Sequence, residues 1–477
     1  MNKTNIIVTV GPSSNTKEVL KELILGGAAV IRINLNYCNH DFCRDIVSKI
    51  RDIDAELGTV TSVMFDTVGP DIKTGSFSGG KACFTEETKI RVYNSSLLGD
   101  ETKLFIDYAD LVDDIPNNTI VKLNNGRVVL EVIDRGPDYL LCEVLVGGEV
   151  IDNSSVYFDC DLRLPFLSER DKEDIIFANE LGVDFLALSL VSGSEDVLDV
   201  NDMLIELGND HMSIISKIEK ESAVNEIDDI IRVSDGVMIT RGDLGVSIPV
   251  ERIPSIQKMV INKCHFSNKI SIVATEVMSS MYDSLVPSRA EVSDVANAVI
   301  DGVDAIVLSV ETMNGHHPIE AFSMMKRIII TTESDIDYFD LMDRAVRSDA
   351  GDITGSLAYS VCDLANRLSC KAIVAPTISG YTARKMSRFR SRCSIIALSP
   401  DIKTVKSLKL HFGVYPVLIK ELNTLDDTIF KSREIASKYF DLSDGDKIII
   451  TGGYPFRKTK HTNFIKIEEI WGELCII

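Results

Sequence analysis

The ten cysteines contain no C-x-x-C pair and no metal-type Cys/His spacing, although Cys38 lies near Cys43 and Cys362 near Cys370. Scattered thiols of this kind point to reduced, buried side chains rather than to a zinc ribbon or a redox couple. No apolar run approaches the roughly 20 residues that a membrane-spanning helix needs. The N-terminus lacks a cationic, apolar signal segment. A strand-like stretch, Asn5 to Val10, begins almost at once, so no presequence is expected and the expected compartment is the cytoplasm. Positive charge is scarce as well: 50 Lys and Arg stand against 72 Asp and Glu, a formal net charge of −22. That balance argues against unaided binding to nucleic acid or to anionic membrane. Anionic ligands must then be collected by local basic patches or metals, against the protein's own field.

What is present is length and a repeating pattern. A chain of 477 residues exceeds what one hydrophobic core organises, so two to four domains are expected. Apolar runs alternate with amphipathic helical patterns, the mark of parallel α/β architecture. Eight runs stand out: NIIVTVG, AVIRINLN, TSVMFDT, DFLALSL, SIISKIE, GVMITRG, KISIVATE and AIVLSVE. Each but the third is followed by a helical pattern. Buried parallel strands read as near-continuous Val, Ile and Leu, as these do. The expected fold is an α/β (β/α)8 barrel built from residues 1–68 and 162–345.

Residues 69–161 differ in style. Short β-rich segments (KIRVY, TIVKL, VVLEVI, YLLCEVLV) are separated by turn signals such as Asn124-Asn125-Gly126 and Gly147-Gly148. They predict a small antiparallel barrel inserted in a βα loop, at the face where barrel active sites form, and so a lid. A helix, ITGSLAYSVCDLANRL, followed by KAIVAPT, SIIALSP, VYPVLIK, KIIITGG and TNFIKIEEI, predicts a separate α/β sheet domain over 346–477.

Chemistry is expected at the C-terminal ends of the barrel strands. SIISKIE ends in Lys217-Ile218-Glu219, and strand alternation points the lysine and the carboxylate to one side. The next run ends Thr240-Arg241-Gly242-Asp243, adding a second carboxylate. Glu219 and Asp243 suit Mg²⁺ or Mn²⁺, hard cations that keep places for water and phosphate. The Gly-Asp-Leu-Gly turn opens a short helix whose N–H groups suit a carboxylate or phosphate. A lysine beside such an ion suits an enolate or a transferring phosphoryl group. A structural ion pair closing the rim would read the same way. Arg32 offers a bidentate phosphate clamp, with Asn34 and Asn36 on its side of the strand; a rim salt bridge is the plain alternative. Asp66-Thr67 is a hard-oxygen pair that binds a cation or merely caps a turn. Thr275 either positions a proton-relaying water or satisfies nearby backbone groups, as most threonines do.

Several motifs stand in order along the chain. They are Thr9-Val10-Gly11-Pro12-Ser13-Ser14, Arg32-x-Asn34, Asp66-Thr67-x-Gly69-Pro70 and Ile215-Ser216-Lys217-Ile218-Glu219. Arg241-Gly242-Asp243-Leu244-Gly245 and Arg289-Ala290-Glu291-x-x-Asp294-Val295-Ala296-Asn297-Ala298 follow. Together they resemble the pyruvate kinase family, and the likeness spans essentially the whole chain. The resemblance implies the glycolytic transfer of phosphate from phosphoenolpyruvate to ADP, then protonation of the enolate to pyruvate. It implies that Lys217 stabilises charge on the phosphoryl group and enolate, that Arg32 clamps phosphate, and that Thr275 assists protonation. Glu219 and Asp243 would hold Mg²⁺ or Mn²⁺, while Thr240, Gly242 and Asp243 would line the substrate carboxylate pocket. Asn34, Asn36, Asp66 and Thr67 would bind K⁺, and Arg32, Asn34 and Lys73 would face the nucleotide. A homotetramer is implied by the same resemblance.

Departures from the family pattern fall in two places. At the cation site Asn36 replaces a serine, Tyr37-Cys38 replaces His-Gly, and Asp71 replaces a glutamate. On the nucleotide side Lys73 replaces an arginine, and a lysine cannot reproduce its fork. Asn124-Asn125-Gly126 replaces an Asp-Asp-Gly turn, Asn153 and Asn314 align with lysines, and Val310 stands for a glycine. The substrate side is thus retained while the grip on ADP is eroded. In the last domain, Thr377, Ser379, Gly380 and Thr382 resemble a loop that binds a phosphorylated sugar effector, although an ordinary N-cap has the same composition. Arg457, Lys458, Lys460 and His461 add a basic cluster, or a solvated turn. Two other readings stand beside the kinase: a degenerate homologue that senses metabolites and regulates a partner, and another metal-enolate barrel enzyme such as an aldolase.

Overall fold

The computed structural model describes residues 2–160, 162–209, 211–346, 352–422, 424–453 and 462–471. Eight parallel strands close into a barrel in strict sequence order. They are β1 (Asn5–Thr9), β2 (Val30–Asn34), β3 (Ser62–Asp66) and β4 (Phe185–Leu188), then β5 (Ser213–Ile218), β6 (Gly236–Thr240), β7 (Ile270–Ala274) and β8 (Ala305–Leu308). All eight runs read from the sequence are these strands, because both of their faces are buried. Ile6, Val8, Ile31, Ile33 and Phe65 pack outward under the helices. Their alternate neighbours Ile7, Val30, Met64, Phe185, Ile215 and Met238 pack together inside the barrel. Continuing that alternation brings Thr9, Arg32, Asp66, Ser189, Lys217 and Thr240 to the inner rim. Register keeps these strand ends level, with Asn34 opposite Asp66 and Thr240 opposite Ala274.

The chain between β3 and β4 folds around its own core, which includes Phe77, Phe84, Ile90, Leu104, Leu130 and Leu140. It forms a seven-stranded sheet and a separate two-stranded ribbon, Lys81–Phe84 with Gly148–Ile151. The two end strands of the sheet, Ile72–Lys73 and Lys103–Phe105, meet through Gly75 N–H to Phe105 O at 2.8 Å and Asp107 N–H to Lys73 O at 2.9 Å. The insertion therefore closes on itself. It is not wholly antiparallel, because Lys89–Tyr93 and Lys103–Phe105 run parallel. Asn124, Asn125 and Gly126 all take left-handed φ, of 50°, 56° and 79°, at the tip of a hairpin.

The C-terminal sheet has five strands: β9 (Ala372–Pro376), β10 (Ser394–Ser399), β11 (Val414–Leu418), β12 (Lys447–Gly452) and β13 (Phe464–Glu469). Their order is β11-β10-β9-β12-β13, with only β13 antiparallel to its neighbour. Leu410 of this domain packs with the interior barrel residues and plugs the barrel floor. Among the described residues every cysteine is free, and no helix is long and apolar enough to cross a membrane.

Candidate active site

Asp66, fully buried at the end of β3, is the centre of the barrel mouth. It accepts from Arg32 Nε at 2.8 Å and pairs with Arg32 Nη2 and, at 3.2 Å, with Lys217 Nζ. Burial alone would raise its carboxyl, but the charges of Lys217 and Arg32 outweigh that and hold it below the usual carboxylate range. Arg32 Nη1 also donates to Thr9 Oγ1 at 2.8 Å. The rim salt bridge that sequence allowed for Arg32 is thus present, and it keeps the guanidinium in the mouth.

Lys217 Nζ lies 3.0 Å from Glu219 Oε1 and donates to Ser189 Oγ at 2.7 Å. Burial disfavours its ammonium, but Asp66 and Glu219 outweigh the cost and keep it above the ordinary lysine value. Lys217 is therefore a permanent cation at neutral pH. Glu219 Oε2 accepts the Leu190 N–H at 2.6 Å, which fixes the carboxylate. Asp243 follows β6 in the short helix Arg241–Ser247. Its side chain meets solvent inside a cleft walled by protein, and burial, followed by the charge of Glu219, raises its carboxyl to about 7. Two carboxylates that repel one another beside a fixed cation form a donor set suited to a divalent ion. Among the described residues no group of three or more His, Cys, Asp or Glu is placed to hold a metal, so a cation here would draw further ligands from substrate and water. The Thr240 hydroxyl is buried at the same rim and has no partner among the described residues, nor has Ser309 Oγ just after β8. Both are open to hydrogen-bond a ligand.

Thr275 and Glu276 follow β7 with left-handed φ of 64° and 51°. Thr275 Oγ1 accepts the Gly242 N–H at 2.8 Å, so in this state it caps the helix that carries Asp243. Sequence reasoning passed over two residues of this assembly. Ser189 bridges Lys217, Asp66 and Thr67, and continuing the inward alternation of β4 (Phe185, Ala187, Ser189) would have found it. Arg241 donates through Nη2 to the carbonyls of Thr275 at 3.0 Å and Glu276 at 2.8 Å, a long-range clamp without a local signal.

The four residues assigned to K⁺ lie together, each engaged locally. Asn34 Oδ1 accepts the Asn36 N–H at 3.0 Å, and Thr67 Oγ1 accepts the Ser189 N–H at 3.1 Å. Asn36 Oδ1 accepts from Lys73 Nζ at 2.9 Å, and that ammonium also lies 3.4 Å from Asp71 Oδ2. In the C-terminal domain, Gly380 takes φ 74° ahead of helix Tyr381–Ser387, and Thr377 N–H bonds Leu398 O at 2.9 Å. Thr382 is buried, its hydroxyl 2.7 Å from that of Thr462, so it faces inward rather than into an open loop. Arg457, Lys458, Lys460 and His461 lie outside the described residues.

Fold and mouth define a class: a (β/α)8-barrel enzyme with a strand-end lysine and paired carboxylates, built for an anionic substrate. Residues 1–322 match the family model described as the pyruvate kinase barrel domain, and residues 355–468 the one described as the pyruvate kinase alpha/beta domain. A pyruvate kinase from Clostridium perfringens is 38% identical over 475 residues, covering 98% of this chain and all of that protein. One from Geobacillus stearothermophilus is 35% identical, covering 98% of this chain and 80% of that protein. The crystal structure of a pyruvate kinase from Cryptosporidium parvum superposes with a TM-score of 0.91 at 31% identity, covering 98% and 96% of the two chains. The chain belongs to the pyruvate kinase family.

Proposed function

We infer that this barrel mouth transfers the phosphoryl group of phosphoenolpyruvate to ADP and that the enolate left behind is protonated to pyruvate. The observation that carries the reading is Lys217, a permanent ammonium held between Asp66 and Glu219, with Asp243 in the short helix that follows the adjoining strand. An ammonium so fixed stabilises charge on the moving phosphoryl group and enolate without reorganising. Glu219 and Asp243 would hold Mg²⁺ or Mn²⁺, whose charge would offset that of the phosphates. Arg32 clamps phosphate, Gly242 and the unpartnered Thr240 hydroxyl line the carboxylate pocket, and Thr275 assists protonation. Asn34, Asn36, Asp66 and Thr67 offer oxygens to K⁺, with Lys73 competing for Asn36; Arg32, Asn34 and Lys73 face the nucleotide. A phosphorylated sugar effector would rest on Thr377, Ser379 and Gly380, since Thr382 is engaged with Thr462. The setting is a cytoplasmic homotetramer.

The test is pyruvate formation from phosphoenolpyruvate and ADP with added Mg²⁺, together with Glu219→Ala and Asp243→Ala. Turnover in the native protein and its loss in both variants is the expected result. A silent native protein that still binds phosphoenolpyruvate would make it a sensor. Pyruvate formation unaffected by either substitution would break the metal assignment.

A further inference from the structure

The inserted domain rests on the barrel at two places on opposite sides of the mouth. Lys73 reaches Asn36 beyond β2, while Lys122 and Tyr157 reach the helix Arg241–Ser247 beyond β6, half-way around the closed barrel. The lid thus bridges the mouth from one side to the other. At the second place Lys122 Nζ donates to Val246 O at 2.5 Å, and the Tyr157 hydroxyl lies 3.1 Å from Ser247 Oγ. The two side chains are paired on the adjacent antiparallel strands Ile120–Leu123 and Ser155–Phe158, with the ammonium 5.7 Å from the Tyr157 ring centroid. Lysine and ring therefore act as one grip. The neighbouring hairpin tip comes up beside them, where a Cβ on Gly126 would stand 3.9 Å from Val246 Cγ1.

What is gripped is the C-terminal end of the helix that carries Asp243 in its first turn. The last carbonyls of a helix have no partner within it, and the helix dipole favours an ammonium there. Seven residues are too few for a helix to stand alone, so its ends must be held from outside. At the start, Thr275 Oγ1 accepts the Gly242 N–H at 2.8 Å. At the finish, the lid holds Val246 and Ser247. Ser247 Oγ also accepts the Glu221 N–H at 2.9 Å, only two residues beyond Glu219. The grip therefore meets both segments that bear the paired carboxylates. Glu219 and Asp243 repel one another when both are ionised, so keeping them within reach of one cation takes such support.

We propose that Lys122 and Tyr157 are positioning residues for the divalent cation: the seated lid fixes the helix that brings Asp243 beside Glu219, and cation affinity depends on that seat. This rests on the reading of Glu219 and Asp243 as the cation's ligands. Coupling of this kind is reciprocal, so a cation on the two carboxylates would in turn hold the lid down. Sign separates the role from plain electrostatics. A lysine over the mouth repels a cation, so removing it should tighten binding if charge alone matters. Removing a positioning lysine should weaken it.

The test is a titration of the full chain with Mn²⁺ in the absence of substrate, the free ion being followed by electron paramagnetic resonance. Native protein should bind Mn²⁺, and Lys122→Met should bind it about tenfold more weakly, the equivalent of one charge-assisted hydrogen bond. Lys122→Arg, which can still donate to Val246 O, should keep most of the affinity. Tyr157→Phe, which removes a single hydroxyl, should weaken binding in the same direction by a smaller factor. Lys122→Met and Tyr157→Phe variants that bind Mn²⁺ as tightly as native protein, or more tightly, would overturn the positioning role and leave the carboxylates as ligands. Native protein that binds no Mn²⁺, or affinity undiminished in Glu219→Ala and Asp243→Ala, would overturn the cation reading and the positioning role with it.

Discussion

Arg241 and Asp294 are joined by a 2.6 Å ion pair that ties the end of β6 to the helix Arg289–Ile300. The same guanidinium holds the carbonyls of Thr275 and Glu276, two residues in left-handed conformation. Such backbone is retained only where its surroundings over-determine it. Arg241 is thus a positioning residue: it fixes the turn that aims the Thr275 hydroxyl at Gly242.

Removing the fork should therefore cost rate more than affinity. Charge-assisted hydrogen bonds are worth about 1.5–3 kcal/mol each, and a rate effect of one such bond is about tenfold or more. Arg241→Met is expected to lower kcat by about that factor with a smaller change in KM for phosphoenolpyruvate. Arg241→Lys should recover only part of the loss, because an ammonium cannot reach two carbonyls and Asp294 in one plane. A folded Arg241→Met variant with native kcat would show that the Thr275 turn stands without the clamp.

Lys217→Met separates chemistry from docking. Loss of one preorganised charge should reduce turnover by on the order of 10²–10³ while phosphoenolpyruvate binding suffers less. Stability supplies a second readout. The folded-state carboxyl of Asp66 is depressed, so its stabilising contribution is present above the unfolded value near 3.9 and is lost as pH falls through the folded value. Lys217 supplies the larger of the two opposing charges, and Arg32 remains. The melting difference between native and variant protein should hence be widest near neutral pH and narrow in acid. A difference independent of pH would place the effect in packing instead.

A third expectation concerns acid. His265 and His411 are both pushed down to about 3, first by burial and then by neighbouring arginines. Each is neutral in the folded protein, while an unfolded histidine titrates near 6.5. Between those values the unfolded chain binds more protons, so stability should fall as pH drops from about 6.5 toward 3. Arg390, Arg384, Arg388 and Asp304 surround the two rings and set the size of the effect. Chemical denaturation at a series of pH values measures it. His265→Gln should flatten the slope, since an amide can still donate to Gly302 O as the ring does at 2.8 Å. An unchanged slope would assign the acid sensitivity to carboxylates alone.

The barrel was legible because parallel strands buried on both faces leave continuous apolar runs, and alternation then carried Lys217, Glu219 and Arg32 to the rim. The lid was legible only in its longer strands. Ile72–Lys73 and Lys103–Phe105 are two and three residues long, too short for a period of two to register. Asp294 lies 53 residues beyond Arg241, and Thr462 lies 80 beyond Thr382, so neither pairing leaves a local trace. Ser189 was readable in principle, as the next inward position of β4.

The last prediction concerns ADP. Sequence alone places Lys73, Asn153 and Asn314 where the family resemblance implies an arginine and two lysines. In the structure Lys73 is also occupied, bonded to Asn36 Oδ1 at 2.9 Å and 3.4 Å from Asp71. A lysine tethered to the segment after β2 offers less to a polyphosphate than a free one. If two charge-assisted contacts are missing, a loss of about 3–4 kcal/mol would raise the ADP requirement by roughly two to three orders of magnitude. A metal held at Glu219 and Asp243 would soften this, and so would Arg127 in the lid. The expected protein is therefore an enzyme with an ordinary requirement for phosphoenolpyruvate and a high one for ADP. Two changes should lower the ADP requirement separately. Asn153→Lys with Asn314→Lys restores cations, and Asn36→Ala releases Lys73 without adding charge. Steady-state kinetics with each substrate varied would resolve them. Native protein with an ADP requirement as low as that of its 38% identical Clostridium perfringens relative would refute the alignment of Asn153 and Asn314. An Asn36→Ala variant with unchanged KM for ADP would show that the Lys73 tether does not limit nucleotide binding.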